Sequence, residues 1–186
     1  SKLIIDPNNN NIFYATTQGA TEYTDKVGDG AGVFKSTDRG NNWTQINNGL
    51  DSLETNILTV DPNDSETLYL GTDDDGVYKS TDGGESWKKL TVSSLSKSFG
   101  VGDIIVDPQN SNNIYIGTVD YFRLSESRGV LGDFGVYKST DGGATWEEFN
   151  AGLNHLGVFS LELSEENRIL YAGTRAGGVY WISLDN

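Results

Sequence analysis

The sequence predicts an all-β protein built from repeated four-stranded sheets. First, one pattern of segments recurs along the 186 residues. Second, the chain has 23 Gly and 11% aromatic residues, a mixture that favours short strands and tight turns. Third, long stretches with the 3.6-residue apolar periodicity of a helix are absent, so we expect almost no helix.

Each repeat unit has three recognisable segments. The first reads LIIDP at 3–7, LTVDP at 58–62, IIVDP at 104–108 and LELSE at 161–165. The second reads IFYAT at 12–16, LYLGT at 68–72, IYIGT at 114–118 and LYAGT at 170–174. The third reads GVFKSTDRGNNW at 32–43, GVYKSTDGGESW at 76–87 and GVYKSTDGGATW at 135–146, with a degenerate GVYWISLDN at 178–186.

The spacing of the repeat predicts a β-propeller. Asp38 and Asp82 are 44 residues apart, within the range of roughly 40–50 residues for a propeller blade. The three segments supply strands A, B and C, and strand D begins at the Trp. One such sheet cannot bury both faces alone, whereas radial stacking of several sheets does.

We therefore predict blades at 1–50, 51–97, 98–153 and 154–186, of which the last has three strands because its final turn is lost. The strand count suggests part of a larger ring. Missing N-terminal blades or a second chain would then complete it. The third option is a closed four-bladed monomer whose last blade has three strands.

The element S-T-D-x-G-x-x-W is expected to form a turn. Its Ser and Asp can bond nearby backbone, its Gly can adopt positive φ, and its Trp can pack between adjacent sheets. These residues are Ser36, Asp38, Gly40, Trp43, Ser80, Asp82, Gly84, Trp87, Ser139, Asp141, Gly143 and Trp146.

In these boxes the sequence resembles the Asp-box, or BNR-repeat, propellers. That group contains sialidases, xyloglucanase-type glycoside hydrolases, sortilin-type receptors and photosystem II assembly factors. The resemblance covers nearly the whole chain and implies the fold, with boxes that are structural and lie away from any active site. Sialidase activity is disfavoured because that family needs an arginine triad, and only three of the five Arg lie at the variable-loop end, two of them in one loop. No Arg at the start of the chain matches the family's Arg-Ile-Pro motif either.

The variable loops point to a possible binding face. Antiparallel order puts the B–C and D–A loops at one end of the blades and the uniform A–B turns and Asp boxes at the other. Propellers generally bind ligands on such variable loops. The candidate ligand-binding residues are Tyr23, Asp73, Asp74, Asp75, Tyr121, Phe122, Arg123, Arg128 and Arg175.

Three alternatives stay open for Asp73, Asp74 and Asp75. They form a solvated hairpin tip, or a Ca²⁺ site of clustered oxygen ligands, or part of a catalytic site. The xyloglucanase-type family has a catalytic Asp after the Thr that ends strand B, in a T-D-x-G-G context. Asp73 follows Thr72 in the same way, but Asp74-Asp75-Gly76 departs from the motif. Asp120 and Asp133 are the candidate second carboxylates that glycoside hydrolysis needs.

Composition excludes several functions. The net charge of −14 argues against nucleic acid as a partner, zero Cys removes thiolate chemistry, and no apolar run is long enough for membrane insertion. The favoured interpretation is a non-catalytic, extracytoplasmic or secreted scaffold that binds protein or glycan and needs no cofactor other than a candidate Ca²⁺. The alternative is a fragment or subunit of a glycoside hydrolase of the xyloglucanase type or the sialidase-like type.

Overall fold

The computed structural model describes residues 2–18, 30–95, 99–120 and 133–184, and every regular element in them is a β-strand. The first sheet contains β1 (Leu3–Asp6), β2 (Asn9–Thr17), β3 (Gly32–Ser36) and β4 (Thr44–Gln45). The second contains β5 (Thr55–Asp61), β6 (Asp64–Thr72), β7 (Val77–Ser80) and β8 (Lys88–Lys89). The third contains β9 (Gly100–Val106), β10 (Ile114–Val119), β11 (Val136–Ser139) and β12 (Glu147–Glu148). The fourth contains β13 (Val158–Ser164), β14 (Ile169–Thr174) and β15 (Gly178–Ser183).

All neighbouring strands are antiparallel and follow chain order, so the predicted all-β Asp-box propeller architecture of three four-stranded blades and one three-stranded blade is confirmed. Among the described residues, no helix is long and apolar enough to cross a membrane.

The hydrophobic core lies between the sheets. Tyr14 and Val33 of the first sheet pack with Leu58, Leu68 and Leu70 of the second, and similar clusters join the later sheets. Each sheet therefore has a leading face, which points toward the preceding sheet, and a trailing face, which points toward the following one.

Strand pairing corrects the predicted repeat register in the first blade. Tyr14 pairs with Lys35 as Tyr69 pairs with Lys79, so the equivalent of LYLGT at 68–72 is FYATT at 13–17, not IFYAT at 12–16. The apolar run at 12–14 fits both registers, and only the pairing with the Lys of the neighbouring strand decides between them. The shift makes Thr17 the equivalent of Thr72.

These Thr residues close the B–C loops. The hydroxyl of Thr17 donates to the Gly32 carbonyl at 2.9 Å, and that of Thr72 donates to the Gly76 carbonyl at 3.0 Å. Gly76 has a φ of 77°, a conformation that strains other residues. The Thr and the Gly together fix where each loop begins and ends.

The Asp boxes form turns at the opposite end of the sheets. In the second box, the Ser80 hydroxyl donates to Asp82 Oδ1 at 2.7 Å and accepts from the Gly84 N–H at 2.9 Å. Asp82 Oδ1 also accepts from the Ser86 N–H at 2.9 Å. Hydrogen bonds from Ser86 and Ser80 lower the pKa of Asp82 to about 2, so this carboxylate is a turn element held in its charged form.

One box tryptophan departs from the prediction of packing between sheets. Trp87 is 5% exposed and donates to the Ile46 carbonyl of the preceding sheet at 2.8 Å. Trp146 packs against the core between the second and third sheets. Trp43 is 39% exposed and bonds within its own turn, because no described strand covers the leading face of the first sheet.

Candidate functional site

The B–C and D–A loops meet at one end of the sheets, which we call the loop face. The Asp73 N–H donates to the Glu54 carbonyl at 2.9 Å, and the Gly135 N–H donates to the Leu156 carbonyl at 2.9 Å. The first bond joins the B–C loop of the second blade to the D–A loop that precedes this blade, and the second joins the B–C loop of the third blade to the D–A loop that follows it. The loops are therefore held by backbone bonds on a stacked scaffold.

The position after the strand-B Thr changes chemistry from blade to blade. It is held by Gln18, Asp73, Val119 and Arg175 in the four blades. The Thr before it and the Gly that ends the loop make the same hydrogen bond each time. The residue at this position on the loop face therefore differs between blades, whereas the Thr–Gly hydrogen bond beneath it is the same in all four.

Asp73 is the centre of a polar cluster that joins three blades. Its side chain is 5% exposed, and Gln18 Nε2 of the first blade lies 3.2 Å from Oδ1 and 3.1 Å from Oδ2. The same nitrogen lies 3.2 Å from Asn56 Oδ1, and Asn56 Nδ2 donates to the Val101 carbonyl of the third blade at 2.9 Å. We call Gln18, Glu54, Asn56 and Asp73 the Asp73 cluster.

Burial changes the acidity of this carboxyl group. Desolvation raises the pKa of Asp73 to about 6, and the charges of Glu54 and Asp74 add to the rise. The hydrogen bond from Gln18 acts in the opposite direction but is the weaker influence. Near pH 6 the group therefore exists in comparable amounts as an acid and as a carboxylate, so it can both donate and accept a proton.

The other two residues of the acidic hairpin point to other partners. Asp74 Oδ1 accepts from the Ser52 hydroxyl at 3.0 Å. Asp75 accepts from the Tyr78 hydroxyl and forms an ion pair with Lys89. Among the described residues, no group of three or more His, Cys, Asp or Glu side chains is arranged to hold a metal ion. The Ca²⁺ prediction for Asp73, Asp74 and Asp75 thus rests on the sequence alone.

Asp120 and Asp133 lie at the start and end of the B–C loop of the third blade. Asp133 Oδ1 accepts from the Asp120 N–H at 2.8 Å. Arg175 of the fourth blade donates to the Asp120 carbonyl, and its guanidinium carbon lies 5.2 Å from the centroid of the Phe159 ring. The structure brings these three predicted site residues together. The carboxylates that influence Asp73 are instead Glu54 and Asp74.

The remaining candidate residues lie outside the described part of the chain. They are Tyr23, Tyr121, Phe122, Arg123 and Arg128.

Sequence reasoning missed three members of the Asp73 cluster. Gln18 carried a signal, because it follows Thr17 as Asp73 follows Thr72, but the one-residue error in register concealed it. Glu54 and Asn56 carried no signal in the sequence. Glu54 lies in a D–A loop and Asn56 in a strand A, and both approach the B–C loop of Asp73 only in the folded chain.

A family model described as Sortilin, neurotensin receptor 3 (Sortilin-Vps10) matches residues 31–179. The chain belongs to the Sortilin-Vps10 family. A curated relative of this Sortilin-Vps10 chain is a xyloglucanase of Acetivibrio thermocellus, 36% identical over 96 residues. The match covers 47% of this chain and 11% of the relative, so the chain spans about a tenth of that enzyme.

Solved structures similar to this Sortilin-Vps10 chain are propellers. The Niastella koreensis GH74 enzyme is 27% identical with a TM-score of 0.70, over 98% of this chain and 28% of that one. An ancestral GH74 enzyme is 24% identical with a TM-score of 0.74, over 97% and 22%. YCF48 from Cyanidioschyzon merolae is 11% identical with a TM-score of 0.64, over 100% and 51%. The last two similarities, at 24% and 11% identity, support the shared fold alone.

Proposed function

We propose that this chain is a non-catalytic propeller scaffold that binds a glycan of the xyloglucan type on its loop face. The observation that carries the proposal is the Asp73 cluster, which joins three blades on this face. The end of the sheets with the Asp boxes repeats one turn instead.

The chemistry of the cluster suits a sugar. Planar amide and carboxylate groups pair with the vicinal hydroxyls of a saccharide, and Gln18 and Glu54 are such groups and only partly buried. Asp73 lies beneath and holds the Gln18 amide through both carboxylate oxygens. Asp73 is thus a positioning residue, and a side chain oriented in advance loses less entropy on binding.

The choice of a glycan over a peptide rests on the relatives. The curated relative at 36% identity is by name a xyloglucanase, and the Niastella koreensis structure at 27% identity is a GH74 enzyme. A structure of YCF48 bound to D1 peptide is 13% identical to this chain, which is too remote to guide a choice of ligand.

Hydrolysis of the glycan is the second candidate function. It is favoured by the pKa of about 6 of Asp73, since a carboxyl group with a raised pKa serves as a general acid in glycosidases. Hydrolysis also needs a second carboxyl group across the scissile bond. The carboxylates that act on Asp73 lie on its own loop and on the adjoining D–A loop, so binding without hydrolysis is the first proposal.

Isothermal titration of the whole chain with xyloglucan oligosaccharides tests the proposal, with release of reducing ends measured in parallel. We expect binding without release, and roughly tenfold weaker binding for Gln18→Ala, the loss of about one hydrogen bond. Glu85→Gln is the matched control, because Glu85 is exposed in an Asp box at the opposite end. No binding, or equal weakening by the control, would refute the glycan proposal. If the native chain releases reducing ends and Asp73→Asn does not, hydrolysis, the second candidate, would be established instead.

An extracytoplasmic location belongs to the same proposal, because a cell-wall polysaccharide of the xyloglucan type is met outside the cell. Fractionation of the native host, with the chain found only in the cytoplasm, would contradict it.

A further inference from the structure

A buried Asp lies at each of the three contacts between neighbouring sheets, at the end with the Asp boxes. Asp6 and Asp61 end β1 and β5, and Asp107 directly follows β9. We call the contact of the first sheet with the second the first boundary, that of the second with the third the second boundary, and that of the third with the fourth the third boundary. Burial removes each of these carboxylates from water, so each needs hydrogen bonds or an opposite charge.

One oxygen of the Asp has the same kind of partners in the first two boundaries. Asp6 Oδ1 accepts from the Asn8 N–H and from the Ser65 hydroxyl, both at 2.8 Å. Asp61 Oδ1 has the two equivalent partners in the second boundary. These partners belong to the turn of the Asp itself and to the following sheet, so the arrangement does not involve whatever precedes a sheet.

The other oxygen distinguishes the first boundary. Asp6 Oδ2 is buried and has no hydrogen-bond partner within the described residues. In the third boundary, Asp107 Oδ2 accepts from the guanidinium of Arg168 at 2.6 Å, and Oδ1 accepts from the same group at 3.0 Å. A buried polar atom without a partner needs a physical explanation, and the third boundary shows that a cation satisfies this position.

The residue at the Arg168 position differs between the boundaries. It is Glu66 in the first boundary and Asn112 in the second, because each lies two residues before the strand-B residue that pairs with the box Ser or with its replacement in the fourth sheet. The first boundary therefore has a second carboxylate where the third has a guanidinium. Glu66 is exposed, so ions reach this side of the boundary from solvent.

The first two boundaries otherwise match. Lys35 donates to the Gly83 carbonyl at 2.9 Å, as Lys79 donates to the Gly142 carbonyl at 3.0 Å. A side-chain carbon at Gly83 would lie 2.9 Å from Glu66 Oε2 and 3.0 Å from Lys35 Nζ, so the carboxylate and the ammonium border the same point. Because the second boundary has an amide in place of Glu66, the first has one more negative charge among otherwise equivalent groups.

The two carboxylates of the first boundary approach a common side chain. Burial raises the pKa of Tyr14, and the charges of Asp6 and Glu66 add to the rise. Both acids therefore lie near the hydroxyl of this fully buried ring. A positive charge between them would give Asp6 Oδ2 a partner, and oxygen ligands of this kind suit a hard cation.

We propose that the first boundary binds a monovalent cation of the Na⁺ and K⁺ class between Asp6 Oδ2 and the Glu66 carboxylate. Lys35 supplies one positive charge against two carboxylates, so a single monovalent ion neutralises the group and a divalent ion would overcompensate it. Water completes the oxygen shell of the ion from the exposed side of Glu66. The ion stabilises the contact of the first two sheets as the Arg168 guanidinium does in the third boundary.

Thermal unfolding of the whole chain at neutral pH tests the proposal, with EDTA present to remove divalent ions and with chloride held constant. NaCl and KCl are compared with tetramethylammonium chloride, whose bulky cation cannot approach a carboxylate oxygen as closely. We expect Na⁺ or K⁺ to raise the midpoint, by about 3–6 °C at ten times its dissociation constant. Equal midpoints in the three salts would overturn the proposal.

Variants of Glu66 separate a bound ion from a general effect of salt. Glu66→Asn gives the first boundary the residue of the second and should abolish the rise. Glu66→Arg gives it the residue of the third, so this variant should be stabilised in tetramethylammonium chloride itself and gain nothing from Na⁺ or K⁺. Glu165→Gln removes an exposed carboxylate from the A–B turn of the fourth sheet and, as the control, should keep the native rise. A rise that persists in Glu66→Asn, or that the control loses, would contradict the site.

Discussion

Replacement of Asp73 by Asn should make the free energy of unfolding decrease less as the pH rises. The pKa of this carboxyl group is raised from 3.8 to about 6 in the fold, first of all by desolvation. A raised folded-state pKa means that ionisation opposes folding, so the stability associated with the neutral acid is present below pH 3.8 and is lost as pH rises through 6. Because one unit of pKa corresponds to about 1.4 kcal/mol, the loss between pH 4 and pH 7.5 is about 2 kcal/mol.

The Asn side chain cannot ionise, so the variant lacks this loss. It also gives up one of the two contacts that Gln18 Nε2 makes with the carboxylate oxygens, a cost of about 1 kcal/mol at every pH. The difference in free energy of unfolding, variant minus native, should therefore rise by about 2 kcal/mol from pH 4 to pH 7.5.

Urea unfolding at fixed protein concentration measures this difference, because association would otherwise shift the midpoint. Asp51→Asn is the matched control, since Asp51 is an exposed carboxylate on the neighbouring D–A loop. It removes one carboxylate but leaves Asp73 and its contact with Gln18 in place, so it should not reproduce the rise expected for Asp73→Asn. A difference for Asp73→Asn that stays constant across this range, or that the control reproduces, would refute the assignment of a buried, desolvated acid.

Three further predictions concern the scaffold. Ser80→Ala removes the hydroxyl that bonds Asp82 and the Gly84 N–H in a buried turn, and should lower the free energy of unfolding by about 1–3 kcal/mol; a urea midpoint equal to the native one would contradict the role of the box. Arg168→Leu leaves the fully buried Asp107 without its bidentate partner, so chemical unfolding should give a free energy of unfolding lower by about 3–5 kcal/mol. The double variant that also carries Asp107→Asn should recover part of this stability. If it recovers none, packing of the arginine dominates over its ion pair. Saturating Ca²⁺ should leave the midpoint of thermal unfolding unchanged, because the three carboxylates of 73–75 face different partners; a rise of several degrees that EDTA reverses would establish the cation site.

Most of the fold was predictable because the residues that form its turns recur at fixed positions in the repeat. The box residues and the Thr and Gly that close each B–C loop have fixed spacing in the sequence, and a few local hydrogen bonds account for each of them. The first-blade register was not predictable in the same way. Ile12, Phe13 and Tyr14 allow two alignments, and only the pairing of Tyr14 with Lys35 distinguishes them.

The candidate site was predictable only in part. Asp73 stood out because it follows a strand-ending Thr, but its burial and raised pKa depend on its neighbours in three dimensions. Gln18 lies 55 residues away in sequence and reaches Asp73 across a blade boundary. Contacts between blades are set by the stacking of sheets, and no spacing rule within one repeat contains them.

The exposed Trp43 illustrates the same limit. Its turn was predicted from the motif, and the indole N–H bonds the Gly40 carbonyl within that turn. Whether the ring is covered depends on a neighbouring sheet, as the buried Trp87 demonstrates.

Calorimetric titration of the native chain with a xyloglucan oligosaccharide, repeated for Gln18→Ala and Glu85→Gln, tests the central claim most directly. The account predicts saturable binding, without release of reducing ends, that Gln18→Ala weakens about tenfold, equivalent to about 1.4 kcal/mol, and that Glu85→Gln leaves unchanged. Absence of binding by the folded chain, or equal affinity of Gln18→Ala and the native chain, would contradict the claim that the Asp73 cluster is the glycan site.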